Sequence, residues 1–152
     1  MQVESFAALA EPFLERVSAA VWCNMATVDA RGRPRSRVVH PVWDGAEGWL
    51  GTRRDSFKGR HLALHPAVSL AYVSDPARPV YVDAYAAWAD DLATRQRVWE
   101  LFLRTAPPLG YDPAPIFKSL EGFGLLKLTP WRIEVATPPQ ATLVWRPGEL
   151  PE

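Results

Sequence analysis

Three β-like runs, a cationic turn and a short helix, all within residues 22–73, constrain this chain more than any other feature. The runs are Trp22–Val28, Arg33–Trp43 and Gly48–Thr52. The turn reads Thr52-Arg53-Arg54-Asp55-Ser56-Phe57-Lys58, and the helix ends at His65-Pro66. Thr, Ser and Lys thus gather where a strand hands over to a helix start. A helix N-terminus offers free N–H groups and the positive end of the dipole, so this arrangement suits a phosphate. Short strands at regular spacing with few helices predict a barrel or sandwich, and closure of a barrel removes exposed sheet edges.

The charge distribution points to the same segment. The 17 basic and 17 acidic residues cancel overall. Residues 31–60 nevertheless hold eight basic groups (Arg31, Arg33, Arg35, Arg37, Arg53, Arg54, Lys58, Arg60) against Asp44, Glu47 and Asp55, a local excess of five. An anionic ligand is drawn to such a segment. Arg31, Arg33 and Arg35 alternate in sequence, as the solvated face of a strand does.

Outside this segment, Phe6, Leu9, Phe13 and Val17 form a helical stripe that Pro12 interrupts, which predicts a kink or two short helices. Asp29-Ala30-Arg31-Gly32 reads as a hairpin loop with Gly32 at positive φ. The prolines of the second run, Pro34 and Pro41, predict an edge or a break in pairing. Asp55 or Ser56 is placed to cap the helix that Pro66 ends. Two further strands are expected over Ala67–Val73 and Val80–Trp88, the latter with Val80, Val82, Ala84 and Ala86 on one face. A helix follows from Asp90-Asp91 to about Arg104, with Leu92, Trp99, Phe102 and Leu103 on its expected buried side. Residues 105–115, with four prolines, read as an ordered loop or lid. Leu125–Leu128 and Ile133–Val135 are expected as two short strands around Pro130, and the tail from Pro138 as extended chain. No composition break divides the chain, so a single domain over 1–152 is expected.

Composition excludes several classes. Hydrophobic content of 48% with 11% aromatics argues against disorder. The single cysteine, Cys23, excludes an internal disulfide and reads as a small core residue. No apolar run reaches the roughly 18 residues of a membrane span, and the first residues lack the pattern of a signal peptide. A soluble cytoplasmic protein is the expectation. Nucleic-acid binding is disfavoured by the neutral total charge and by the lack of paired stacking aromatics on one marked strand. No Ser/His/Asp order, paired-carboxylate motif or Gly-x-Gly-x-x-Gly is present. His61 and His65 stand four apart on one helix without a further His or Cys nearby, so no metal site is expected.

The order of these pieces resembles the pyridoxamine 5′-phosphate oxidase-like, FMN-binding split-barrel family. Thr27-Val28-Asp29-Ala30-Arg31-Gly32-Arg33-Pro34 is similar to its first hairpin, and Arg37-Val38-Val39 to its Arg-x-Val strand. Thr52 with Ser56-x-Lys58 resembles its phosphate turn, and Leu62-x-x-x-Pro66-x-Val68-Ser69-Leu70 the passage behind it. Pro130-Trp131-Arg132-Ile133-Glu134 is similar to its late Pro-x-Arg-x-Glu strand. The resemblance implies a mainly β (α+β) fold, a split barrel of six or seven strands with flanking helices. It implies a homodimer with two sites at the subunit interface, and FMN as cofactor. Arg37, Val38 and Val39 would line the flavin, partly through backbone groups. Gly51 and Thr52 would lie near its ring or ribityl chain, and Ser56 and Lys58 would hold its phosphate. The implied activity is a flavin-dependent oxidoreductase acting on a small organic molecule, with no catalytic side chain assigned. Some relatives bind a 5-deazaflavin coenzyme instead, or even haem; the alternatives are a deazaflavin-dependent reductase and a flavin-binding protein without turnover. Phe57 stands where vitamin B6 oxidases carry Arg, Ala136 replaces a Trp of theirs, and their C-terminal Arg-Leu-His-Asp-Arg stretch has no counterpart. The chain therefore fits among the shorter flavin proteins.

Overall fold

In a computed structural model, which describes residues 1–148, one long strand organises the molecule. This is β8, Leu125–Val135, of 11 residues. The other strands are β1 Gln2–Val3, β2 Cys23–Val28, β3 Pro34–Val39, β4 Val42–Asp44, β5 Glu47–Gly51, β6 Ala67–Tyr72, β7 Val80–Trp88 and β9 Leu143–Trp145. The helices are α1 Ala10–Ala20, α2 Phe57–Leu64, α3 Leu92–Arg104 and α4 Ala114–Phe117, with a 3₁₀ turn at Phe6–Ala8. One edge of β8 pairs with β7 along its length, while the other is divided between β5 near Leu125 and β9 near Val135.

The strands form a ring that is open between β3 and β4. β2 pairs with β3, β4 with β5, β5 with β8, and β8 returns through β7 and β6 to β2. β3 and β4 are consecutive pieces of one run, interrupted at His40-Pro41. The expected strand Arg33–Trp43 is therefore two strands, because Pro41 lacks a ladder donor where the chain bends from one partner to the next. This bend is the split of the barrel. β1 and β9 lie outside the ring as a parallel pair on the far end of β8. The fold is mainly β with flanking helices, as the resemblance implied.

Pro130 does not divide β8. The register with β7 steps from Asp83↔Arg132 to Ala84↔Pro130, so Trp131 is the extra residue of a bulge. The two expected short strands are thus one strand that absorbs its proline by bulging.

Two apolar clusters flank the sheet. The larger fills the barrel with residues such as Met25, Leu70, Val82, Leu126 and Ile133, all fully buried. Leu9, Phe13 and Val17 join it from the helical stripe, and Phe13 meets Trp43 edge-on at 5.2 Å. The stripe is split as the sequence predicts, into the 3₁₀ turn and α1, with Pro12 in the first turn of α1. A smaller cluster lies outside β4 and β5, where Val42 and Trp49 meet Val98, Leu101 and Phe102 of α3, with Leu109, Phe117 and Phe123. Each such buried side chain stabilises the fold by about 1.5–3 kcal/mol. Phe102 is buried and Trp99 packs beside it, as expected, but Leu92 and Leu103 are each 52% exposed: α3 turns Val98 and Leu101 inward in their place. Among the described residues no helix is long and apolar enough to cross a membrane.

Candidate functional site

The residues singled out by the sequence fall into three places. The first is a cationic corner between β2, β3 and α2. Register pairs Met25 with Arg37 and Cys23 with Val39, so Arg37 lies on the face of β3 that carries Val39 into the barrel, at the hairpin side of that core. Its Nη2 donates to Thr27 Oγ1 at 3.2 Å and lies 3.4 Å from His61 Nδ1. Thr27 Oγ1 and His61 Nδ1 are 2.7 Å apart and buried. Lys58, three residues before His61 on α2, is half-buried beside Arg37.

This corner carries uncompensated charge. Burial first, and then the Arg37 guanidinium, lower the Lys58 pKa. Burial and the charge of Arg35 lower that of Arg37. Burial, Arg37 and Arg35 lower the His61 pKa and favour its neutral form. Among the described residues neither Arg37 nor Lys58 has a carboxylate within ion-pair distance, and the buried Arg37 Nε has no hydrogen-bond partner. The neighbouring cations differ: Arg53 pairs with Asp55 at 3.0 Å, and Arg54 pairs with Asp90 at 2.7 Å while lying over the Trp88 ring. Two close cations without an anion are costly unless a ligand supplies one.

The second place is the turn into α2. Ser56 caps the helix, its Oγ accepting from the Gly59 N–H at 3.3 Å. A cleft of about 270 Å3 opens there, lined by Arg53, Asp55, Ser56 and Arg60. Thr52, buried, donates its N–H to Gly124 O at 2.8 Å. Gly51 has no room for a side chain, since a Cβ there would stand 2.5 Å from the Tyr111 hydroxyl. Gly51 and Thr52 thus shape the floor behind the turn, packed under the segment from Tyr111 to Gly124.

The third place is the outside of the sheet. Adjacent strand residues point to opposite faces, so Val38 and Val39 cannot share one ligand surface through their side chains. Val39 is in the barrel core and offers only backbone groups, whereas Val38 is 62% exposed opposite Asn24. The structure therefore brings together Arg37, Lys58 and the Ser56 turn, sets Gly51 and Thr52 behind that turn, and turns the Val38 side chain to the other face of β3. Thr27 and His61 were not singled out as binding residues. The spacing Lys58-x-x-His61 on a helix was the available signal, because residues three apart share a face.

A family model described as pyridoxamine 5′-phosphate oxidase matches residues 9–135. No curated protein matches the sequence. Among solved structures, a pyridoxamine 5′-phosphate oxidase-related, FMN-binding protein of Nostoc punctiforme superposes with a TM-score of 0.66 at 16% identity, over 94% of this chain and 90% of that one. The heme storage protein HutZ of Vibrio cholerae gives 0.60 at 20% identity, over 83% and 94%. An F420 reductase gives 0.57 at 21% identity, over 81% and 94%. At these identities the likeness shows the fold.

Proposed function

The chain belongs to the pyridoxamine 5′-phosphate oxidase family, and from that premise we propose that it is an FMN-dependent oxidoreductase acting on a small organic molecule. The observation that carries this reading is the pair Arg37 and Lys58, two neighbouring cations without a carboxylate, beside a capped helix start. A phosphate monoester bears about −1.5 to −2 charge at neutral pH and several strong acceptors. It matches what the corner lacks: a partner for Lys58, and a counter-charge for an arginine whose Nε is unpaired. The Ser56 turn adds the positive end of α2. His61, held neutral, orients Thr27 without adding a third charge. Val38 and the backbone of β3 would flank the coenzyme along the edge of the sheet. When bound, FMN supplies the hydride and electron transfer; the chain binds it, orients it and balances its charge.

The FMN-binding neighbour favours FMN, and the F420 reductase neighbour makes a 5-deazaflavin coenzyme the second reading. A flavin-binding protein without turnover is the third. The absorbance spectrum of the purified protein, followed by titration with FMN and with F420, separates the first two; hydride transfer from a nicotinamide donor to an acceptor separates the third. Failure to bind either coenzyme overturns the proposal.

We also propose a homodimer. The outer face of β2, β3, β6 and β7 carries exposed Trp22, Val38, Val73, Tyr81 and Tyr85. Apolar residues gathered on one sheet face mark a contact surface. Light scattering on the same preparation should give twice the mass of the chain, and a monomer would refute it.

A further inference from the structure

We propose that the cleft between the β2–β3 hairpin and α2 is a second anion site, separate from the Arg37–Lys58 corner, and that it takes a compact multivalent oxyanion. The cleft encloses about 310 Å3 and is walled by Asp29, Arg31, Arg33, Arg35, Arg60 and His61. That volume lies at the low end for small-molecule sites. Four guanidinium groups therefore line a concavity that holds one carboxylate.

The carboxylate is already engaged. Asp29 Oδ1 accepts from the N–H groups of Arg31 at 2.9 Å and Arg33 at 3.0 Å, and Oδ2 pairs with Arg33 Nε at 2.9 Å. These bonds, that from the Arg33 backbone foremost, lower its pKa to about 2, so it stays ionised and its charge offsets Arg33. Arg31 and Arg35 have no carboxylate within ion-pair distance among the described residues.

Arg33, Arg35 and Arg37 alternate toward one face of the hairpin, and residues two apart on a strand are only about 7 Å apart. A solvated face explains exposed arginines, but it does not explain their convergence with a helix arginine around a concave wall. Such a wall focuses positive potential on the space it encloses. His61 forms the partition. It lines this cleft, while its Nδ1 faces Thr27 and Arg37 on the other side. The two sites are thus neighbours: His61 lines this cleft and bonds toward the Arg37–Lys58 corner, and Arg60 lines both this cleft and the one at the Ser56 turn.

The test is calorimetric titration of inorganic pyrophosphate into the full chain at about 0.15 M salt, where charges more than roughly 8 Å apart are screened. Binding should persist with FMN saturating, fall about tenfold or more in the double variant Arg31→Gln, Arg35→Gln, and stay unchanged in Lys58→Ala. Absence of binding overturns the proposal. So does displacement of pyrophosphate by FMN, or binding that vanishes in Lys58→Ala and survives in the arginine variant, because the anion would then sit in the coenzyme corner. Arg31 and Arg35 are exposed, and circular dichroism checks that the variant is folded. A chain that fails to bind FMN would strike the coenzyme reading and leave this test standing, since the Lys58 and arginine variants still distinguish the two corners.

Discussion

At the centre of the barrel, Trp43 Nε1 donates to the Tyr72 hydroxyl at 2.9 Å, with the Cys23 thiol beside the same hydroxyl. At the barrel's mouth, Thr27, His61 and Arg37 converge beside Lys58. Both clusters are polar groups taken out of water, yet they follow different rules. The central one is neutral and internally paired. Burial pushes the Cys23 thiol up to about 12 and raises Tyr72 well above its usual value, so neither ionises at neutral pH. The cluster at the mouth keeps an excess of positive charge and leaves Arg37 Nε without a partner. Polar groups that complete one another hold a fold together. Polar groups that need a further partner mark where something else binds.

The sharpest way to break this contrast is Lys58→Ala. Removing one charge-assisted contact to a phosphate costs about 1.5–3 kcal/mol, or roughly 10- to 150-fold in FMN affinity by fluorescence titration. The melting temperature of the free protein should not fall, because the substitution also removes a repulsion. A variant that melts earlier and binds FMN as before would show that Lys58 serves the fold. Tyr72→Phe is the opposite case. It leaves the buried Trp43 N–H without an acceptor and should cost about 1–3 kcal/mol in denaturant unfolding, with FMN affinity unchanged. Loss of FMN affinity at unchanged stability would erase the distinction.

A smaller effect is read from pH. The folded pKa of His61 is lowered, so the unfolded chain takes up its proton first as pH falls. Stability contributed at the mouth is present above about pH 6.5 and is lost as pH falls from there toward the folded value. The central cluster works at the other end. The Cys23 thiol has a raised folded pKa, so the unfolded chain releases its proton first and stability is lost as pH rises above its ordinary value of about 9. Melting temperature against pH should fall on both sides, and His61→Gln should flatten only the acid side.

Much of this was legible in the sequence where a local pattern decides the structure. The alternation in Val80–Trp88 gave both the limits and the faces of β7, and the Ser56 cap and Pro66 bracketed α2. The missed features depend on partners far away in the chain. β1 and β9 are short: β9 is placed by the far end of β8, and β1 by β9, with Gln2 opposite Val144. Pro130 reads as a break until β7 is seen to tolerate a bulge opposite it. The buried side of α3 follows from the outer cluster around Trp49, which periodicity alone did not place. At the site, residue types pointed to Arg37 and Lys58, but the separation of Arg37 from Val38, on opposite faces of β3, needed the register of β2 with β3. Thr27 reads as an ordinary strand residue in the sequence, and only the fold sets His61 against it.

The Thr27–His61 bond fastens the second half of α2 to β2, while the Ser56 cap closes its first turn. A coenzyme arriving beside a segment fixed in this way meets a berth whose walls were set during folding. Little conformational freedom remains to be surrendered on docking, so retention should be governed by ions and hydration rather than by closure of a flap.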